Sequence, residues 1–249
     1  QNTDRMHFVE GIRRGHDQTL VVPGCDAGVL KSDNSPVVVS NAALFGVEVF
    51  RDFLDKKRPY IWFIHDYWPI CKYRLYYPML EKCKSCYRKE TWLPIIMGAK
   101  LIIWLSPLHR ESWMWTCPEL KDIPYALVPS PVDVTQFYDM GLPREGVIAV
   151  NSLVDFKGKD NVIRWAEEHS RTPITFVGGS EGPISLPPNC SVVGLQSFWE
   201  MNRVYNQHKA LLHLPGTPQP FDRIVPEAYL AGCDVIGNVN IGALSYDWF

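Results

Sequence analysis

Short, almost wholly apolar runs alternate with stretches of helical spacing along this chain, and the pattern occurs twice. In the first half, residues 18–23, 35–39, 60–64, 100–105 and 125–128 read as strands. They lack the in–out alternation of a half-solvated sheet, which predicts strands covered by helices on both faces of a parallel sheet. Val47, Phe50 and Leu54 recur at helical spacing, residues 108–115 open another helix, and residues 7–14 read as a helix tail stopped at Gly15. The turn-prone stretch 130–144 then breaks the pattern and reads as a domain link. It restarts with strands at 147–150, 174–177, 191–193, 210–214 and 234–237, and helices at 161–169, 198–207 and 226–231. The expectation is an α/β protein of two Rossmann-like domains, residues 1–134 and 135–249.

Charge and apolar content narrow the function classes. Lys plus Arg number 25 and Asp plus Glu 27, a net charge of −2, which argues against a strongly basic nucleic-acid binder. No apolar run reaches the roughly 20 residues that span a bilayer. The seven cysteines are odd in number and scattered, which fits reduced thiols better than a disulfide framework. The expected location is cytoplasmic, with peripheral contact at the inner face of the membrane kept open. No signal peptide is recognised, and a start at Gln1 points to a trimmed beginning.

Ligands in open α/β sheets bind beyond the carboxyl ends of the strands. Three groups fall there: His65-Asp66, the run SLVDFKGK from Ser152 to Lys159, and PGTPQPFDRIVPE from Pro215 to Glu227. In the third, a proline- and glycine-held turn leads through Phe221-Asp222 into a helix start, whose early N–H groups attract phosphate. Glu227 in the opening turns of that helix could accept from ribose hydroxyls. A plain solvated helix start fits the same residues. Lys157 or Lys159 could neutralise a diphosphate, although most lysines are simply solvated.

Several islands, in order, resemble family 4 glycosyltransferases of the two-domain GT-B fold. GIRRGHDQTLVV is similar to "RGHEVTVV", and HDYWPICKY with CKSCY to "HDxWxxC…CxxC". SPLHRES followed by VPSPVDVTQF resembles "S…(I/V)PNG(I/V)DxxxF", and VNSLVDFKGKDNVIRWA resembles "VGRLxxxKGxxxLIxA". FVGGSEG resembles "xVGxGxG", and PQPFDRIVPEAYLAGCDVIG resembles "EGFGxxxxEAMAxGxPVV". The resemblance implies two domains facing across a cleft. It implies retaining transfer of a sugar from a UDP- or GDP-sugar to a glycan, lipid-linked or small hydroxyl acceptor, with no required metal or other cofactor and no nucleic-acid partner. It places the donor on the C-terminal domain and the acceptor on the N-terminal one. By the motif, Glu227 would hold the ribose, Lys157 the diphosphate, and the backbone at Phe221 and Asp222 would face the phosphate or sugar. His65 would lie near the transferred sugar, with Asp66 orienting its ring, and Trp68 would shape the acceptor side.

Four departures stand out. Gln219 replaces the first Glu of the paired-glutamate motif, Ser152 replaces the usual Arg, the early glycine-rich loop is missing, and the chain closes at Phe249 without a long helical return. The last two imply truncation at both ends. A noncatalytic nucleotide-sugar or glycan binder of the same fold, or a nucleotide-sugar epimerase, are the alternatives to a transferase. Cys83 and Cys86 form a CxxC downstream of Cys71 and His65, a set that could hold structural zinc. The competing reading is free thiols, and it leaves His65 to the site.

Overall fold

The computed structural model describes residues 7–10, 37–40, 47–55, 58–71, 87–180 and 182–247. The chain divides into two compact units, Gln1–Val128 and Pro129–Phe249.

In the first unit the strands β1 (His7–Glu10), β2 (Val37–Ser40), β3 (Tyr60–Phe63), β4 (Leu101–Trp104) and β5 (Tyr125–Leu127) form a parallel sheet in that order. His7–Glu10 corrects the helix-tail expectation. Its backbone pairs with β2, Val9 opposite Val39, and this long-range ladder overrides the local pattern. The strand expected at 18–23 lies outside the described residues. Helices α1 (Val47–Asp55), α2 (Tyr87–Met97) and α3 (Pro107–Thr116) accompany the sheet. Phe50, Trp62 and Trp92 meet with ring centroids 5.5–6.1 Å apart, in a core that also takes in Ile96, Trp104 and Trp113. Helix α2 was not foreseen because Pro94 falls inside it; Pro94 is exposed, while Trp92, Leu93, Ile95 and Ile96 are buried. Helix α3 starts as sequence rules prefer: the Ser106 hydroxyl accepts from His109 N at 3.0 Å and Pro107 opens the first turn.

The second unit holds β6 (Val147–Val150), α4 (Lys159–Glu168), β7 (Ile174–Val177), β8 (Cys190–Val193), α5 (Phe198–Asn206), β9 (Ala210–His213), α6 (Ile224–Leu230) and β10 (Asp234–Gly237). Its sheet is parallel, in the order β10-β9-β6-β7-β8. The chain winds outward from β6 through β7 and β8, then returns to the other side of β6 with β9. The crevice between the carboxyl ends of β6 and β9 is therefore the topological switch point, where doubly wound sheets take ligands. Val147, Ala149, Phe176, Leu212, Val162 and Ala166 fill the core between sheet and helix.

The turn-prone stretch 130–144 is strapped to this unit. Phe137 is buried against Phe198 and Tyr205, and the Asn202 and Asn206 side chains accept from the backbone of Tyr138 and Met140 at 3.1 and 2.7 Å. Arg144 bonds Asp139, Asn206 and the Ala231 carbonyl. Buried amides thus find partners in the segment's backbone, as buried polar groups must.

Candidate functional site

Two turns meet at the switch point. The one after β6 is a tight 3-10 turn, Asp155–Lys157, closed by Gly158 in the left-handed conformation (φ 86°). A Cβ on Gly158 would run into the Leu214 carbonyl, so only glycine lets this turn lie against the chain leaving β9. Asn161 fixes that neighbour by donating to the Leu214 carbonyl at 3.1 Å, and Asn238 and Asn240 both donate to the Pro215 carbonyl at 3.0 Å. Lys157 is thereby aimed at the loop 215–223.

There Lys157 Nζ donates to Gln219 Oε1 at 2.9 Å and Asp222 Oδ1 at 2.7 Å. Gln219 is buried, its backbone N–H bonded to the Asn240 carbonyl and its amide N–H group to the Thr217 carbonyl at 3.0 Å. The other oxygen of Asp222 accepts from His213 Nε2 at 2.8 Å. The side chain of Lys157 is 23% exposed, that of Asp222 6% and that of His213 0%. Burial alone would raise the Asp222 carboxyl, but the bond and charge of His213, with those of Lys157, outweigh it and hold the group below the ordinary aspartate range. Asp222 takes the left-handed conformation (φ 67°), which non-glycine residues seldom adopt. It stands where the resembling pattern has its second glycine.

Glu227 follows in the first turn of α6 and is buried. Burial raises its carboxyl above the usual range, against the opposing pull of Arg223 and of the Tyr205 hydroxyl. Phe221 is buried beside Tyr246. With Pro226, Tyr229, Leu230 and residues 129–132 it lines an apolar pocket of about 390 Å³. Ser152 is buried and turned inward, its hydroxyl donating to the Val150 carbonyl at 3.2 Å. The structure therefore gathers Lys157, Gln219 and Asp222 into one network, with Glu227 and Phe221 on the adjoining segment, and sets Ser152 on the backbone of β6. His213 was missed: one histidine inside the apolar strand ALLHL carries no spacing signal.

In the first unit, His65 follows β3 and its Nε2 lies 2.6 Å from Ser40 Oγ, while its ring packs on Phe63 at 4.3 Å. Burial lowers its pKa. Asp66 Oδ1 accepts from Trp68 N at 2.8 Å, so this carboxylate shapes the turn after β3. Trp68 is buried edge-on to Trp92 at 4.6 Å. Cys71 is a buried free thiol, and Cys83 and Cys86 lie outside the described residues. Among the described residues no three His, Cys, Asp or Glu side chains converge as metal ligands. No helix among them is long and apolar enough to cross a membrane.

No protein-family profile matches the chain, and no curated protein matches it. Solved structures do. The chain is similar to sucrose-phosphate synthase from Thermosynechococcus elongatus (16% identity, TM-score 0.60, 84% of this chain and 57% of that one). It is similar to Anabaena HepE in complex with UDP (15%, TM-score 0.63, 88% and 64%). A third is a UDP-forming α,α-trehalose-phosphate synthase from Burkholderia xenovorans (12%, TM-score 0.57, 87% and 62%). The chain thus spans between 57% and 64% of the length of these structures. What it shares with them is the fold: two sheet-and-helix domains of the GT-B architecture.

Proposed function

We propose that the chain is a retaining glycosyltransferase, of the family 4 type, that moves a sugar from a nucleoside diphosphate sugar to a hydroxyl acceptor without a required metal. The observation that carries this reading is the meeting of Lys157, Gln219 and Asp222 at the switch point of the second sheet. A cation held there can meet the diphosphate as negative charge builds on it in the transition state. Glu227 takes the ribose, and residues 129–249 form the donor domain. HepE was solved with UDP, which makes UDP-sugars the first donors to test. In the first unit, His65 serves the chemical step with Asp66 orienting its ring, and Trp68 shapes the acceptor side. Gln219 in place of a glutamate favours a second reading, a noncatalytic nucleotide-sugar binder.

The experiment is a thermal-shift screen of UDP-, GDP- and ADP-sugars, then turnover with NMR assignment of the product anomer, with and without EDTA. Transfer with retention that survives EDTA supports the proposal. Donor binding without transfer or hydrolysis supports the second reading, and an inverted product or an activity restored only by Mg²⁺ or Mn²⁺ contradicts the first.

A further inference from the structure

The lysine at the switch point is not waiting for an anion. Its ammonium already faces the Asp222 carboxylate at 2.7 Å, and that carboxylate is held from behind by His213. Because an ionised carboxylate only accepts, the proton of the His213–Asp222 bond lies on Nε2. The other ring nitrogen, Nδ1, is buried with no hydrogen-bond partner among the described residues. Among the described residues the charged or titratable partners of Asp222 are Lys157 and His213, and the neighbouring Arg223 acts on Glu227. The Lys157–Asp222 pair is therefore neutral as a unit. Its carboxylate is 6% exposed and oriented through both oxygens, so it has no free path out of the way.

We propose that Asp222 is a resident counter-anion, fixed by His213, that competes with phosphate oxygens for Lys157 and so sets the affinity of this site for a diphosphate. This deepens the proposed function and rests on it for the identity of the ligand. An entering diphosphate either takes Lys157 from the carboxylate or shares it at close range with a like charge, and both weaken binding. Asp222 thus acts through Lys157, as a positioning residue that keeps the anion site weak.

The test is calorimetric titration of inorganic pyrophosphate into the full chain carrying Asp222→Asn or Asp222→Gly, against the unaltered protein, at low and high salt. Both substitutions remove the charge, and both residues accept a left-handed backbone, so a fold failure of one leaves the other. Melting curves check folding. The expected result is pyrophosphate binding about tenfold tighter in the variants, equal to about 1.4 kcal/mol, with the gain shrinking as salt rises. A merely structural ion pair would lower the melting temperature without tightening binding. Unchanged, weaker or undetectable pyrophosphate binding in the folded variants overturns the proposal. Titrating UDP in parallel separates the two readings. If no form binds UDP, the nucleotide-sugar assignment falls while the pyrophosphate comparison still judges Asp222. If the unaltered protein binds UDP but pyrophosphate gains nothing, only the role of Asp222 falls.

Discussion

Glu227, the proposed ribose ligand, sits at a cost in stability. Burial raises its folded-state pKa, so its contribution to stability is fully present below the unfolded pKa and is lost as pH rises through the folded one. At neutral pH Glu227→Gln should therefore raise the melting temperature. The same substitution should weaken UDP binding by about 10–100-fold, because ribose hydroxyls lose a charged acceptor. In the unaltered protein, affinity should fall as pH drops, starting at a higher pH than for an ordinary glutamate, and the variant should lack that fall. UDP titrations from neutral to mildly acid pH check both, and equal affinity in protein and variant would remove Glu227 from the site. His109 gives the opposite stability trend. It is fully buried, and burial first, then the charge of His65, push it down to about 3 against a weaker pull from the Asp66 backbone. A lowered histidine favours the folded state above its unfolded pKa of about 6.5, and that contribution is lost as pH falls towards the folded value. The protein should lose about 2–3 kcal/mol between pH 7 and pH 4.5 from this residue. Denaturant unfolding at the two pH values measures it, and His109→Gln should flatten the difference.

At the scale of the element, Gly158 decides where Lys157 points. Gly158→Ala should cost about 1–3 kcal/mol through its positive φ and its clash with the Leu214 carbonyl, and should weaken UDP binding by shifting the turn. Chemical denaturation with UDP titration checks this, and an unaffected variant would contradict the close approach. Most elements were legible because their strands are short apolar runs of the kind a doubly covered sheet requires. Those with other determinants were not. Helix α2 carries Pro94, a residue that argues against a helix from sequence, yet Gly98 N still reaches the Pro94 carbonyl at 3.2 Å. Strand β1 is made by its partner, since HFVE has no period that separates strand from helix.

At the scale of the whole molecule, the two-unit architecture was legible because the same βα rhythm is written twice, and each unit closes its own core. The candidate site was legible only in part. Lys157 and Glu227 could be picked out because strand ends and helix starts are where ligands and charges collect. The bond from Lys157 to Asp222 joins residues 65 apart, and only the switch in strand order brings them together. His213 came into view for the same reason. On the proposed function, this switch point binds a nucleoside diphosphate through Lys157. Calorimetric titration of UDP into the unaltered protein and Lys157→Met tests it most directly, with melting curves to show that both are folded. Binding should be saturable in the unaltered protein and weaken at least about tenfold in the variant. Equal affinity in the two proteins, or no UDP binding in the unaltered one, would contradict it.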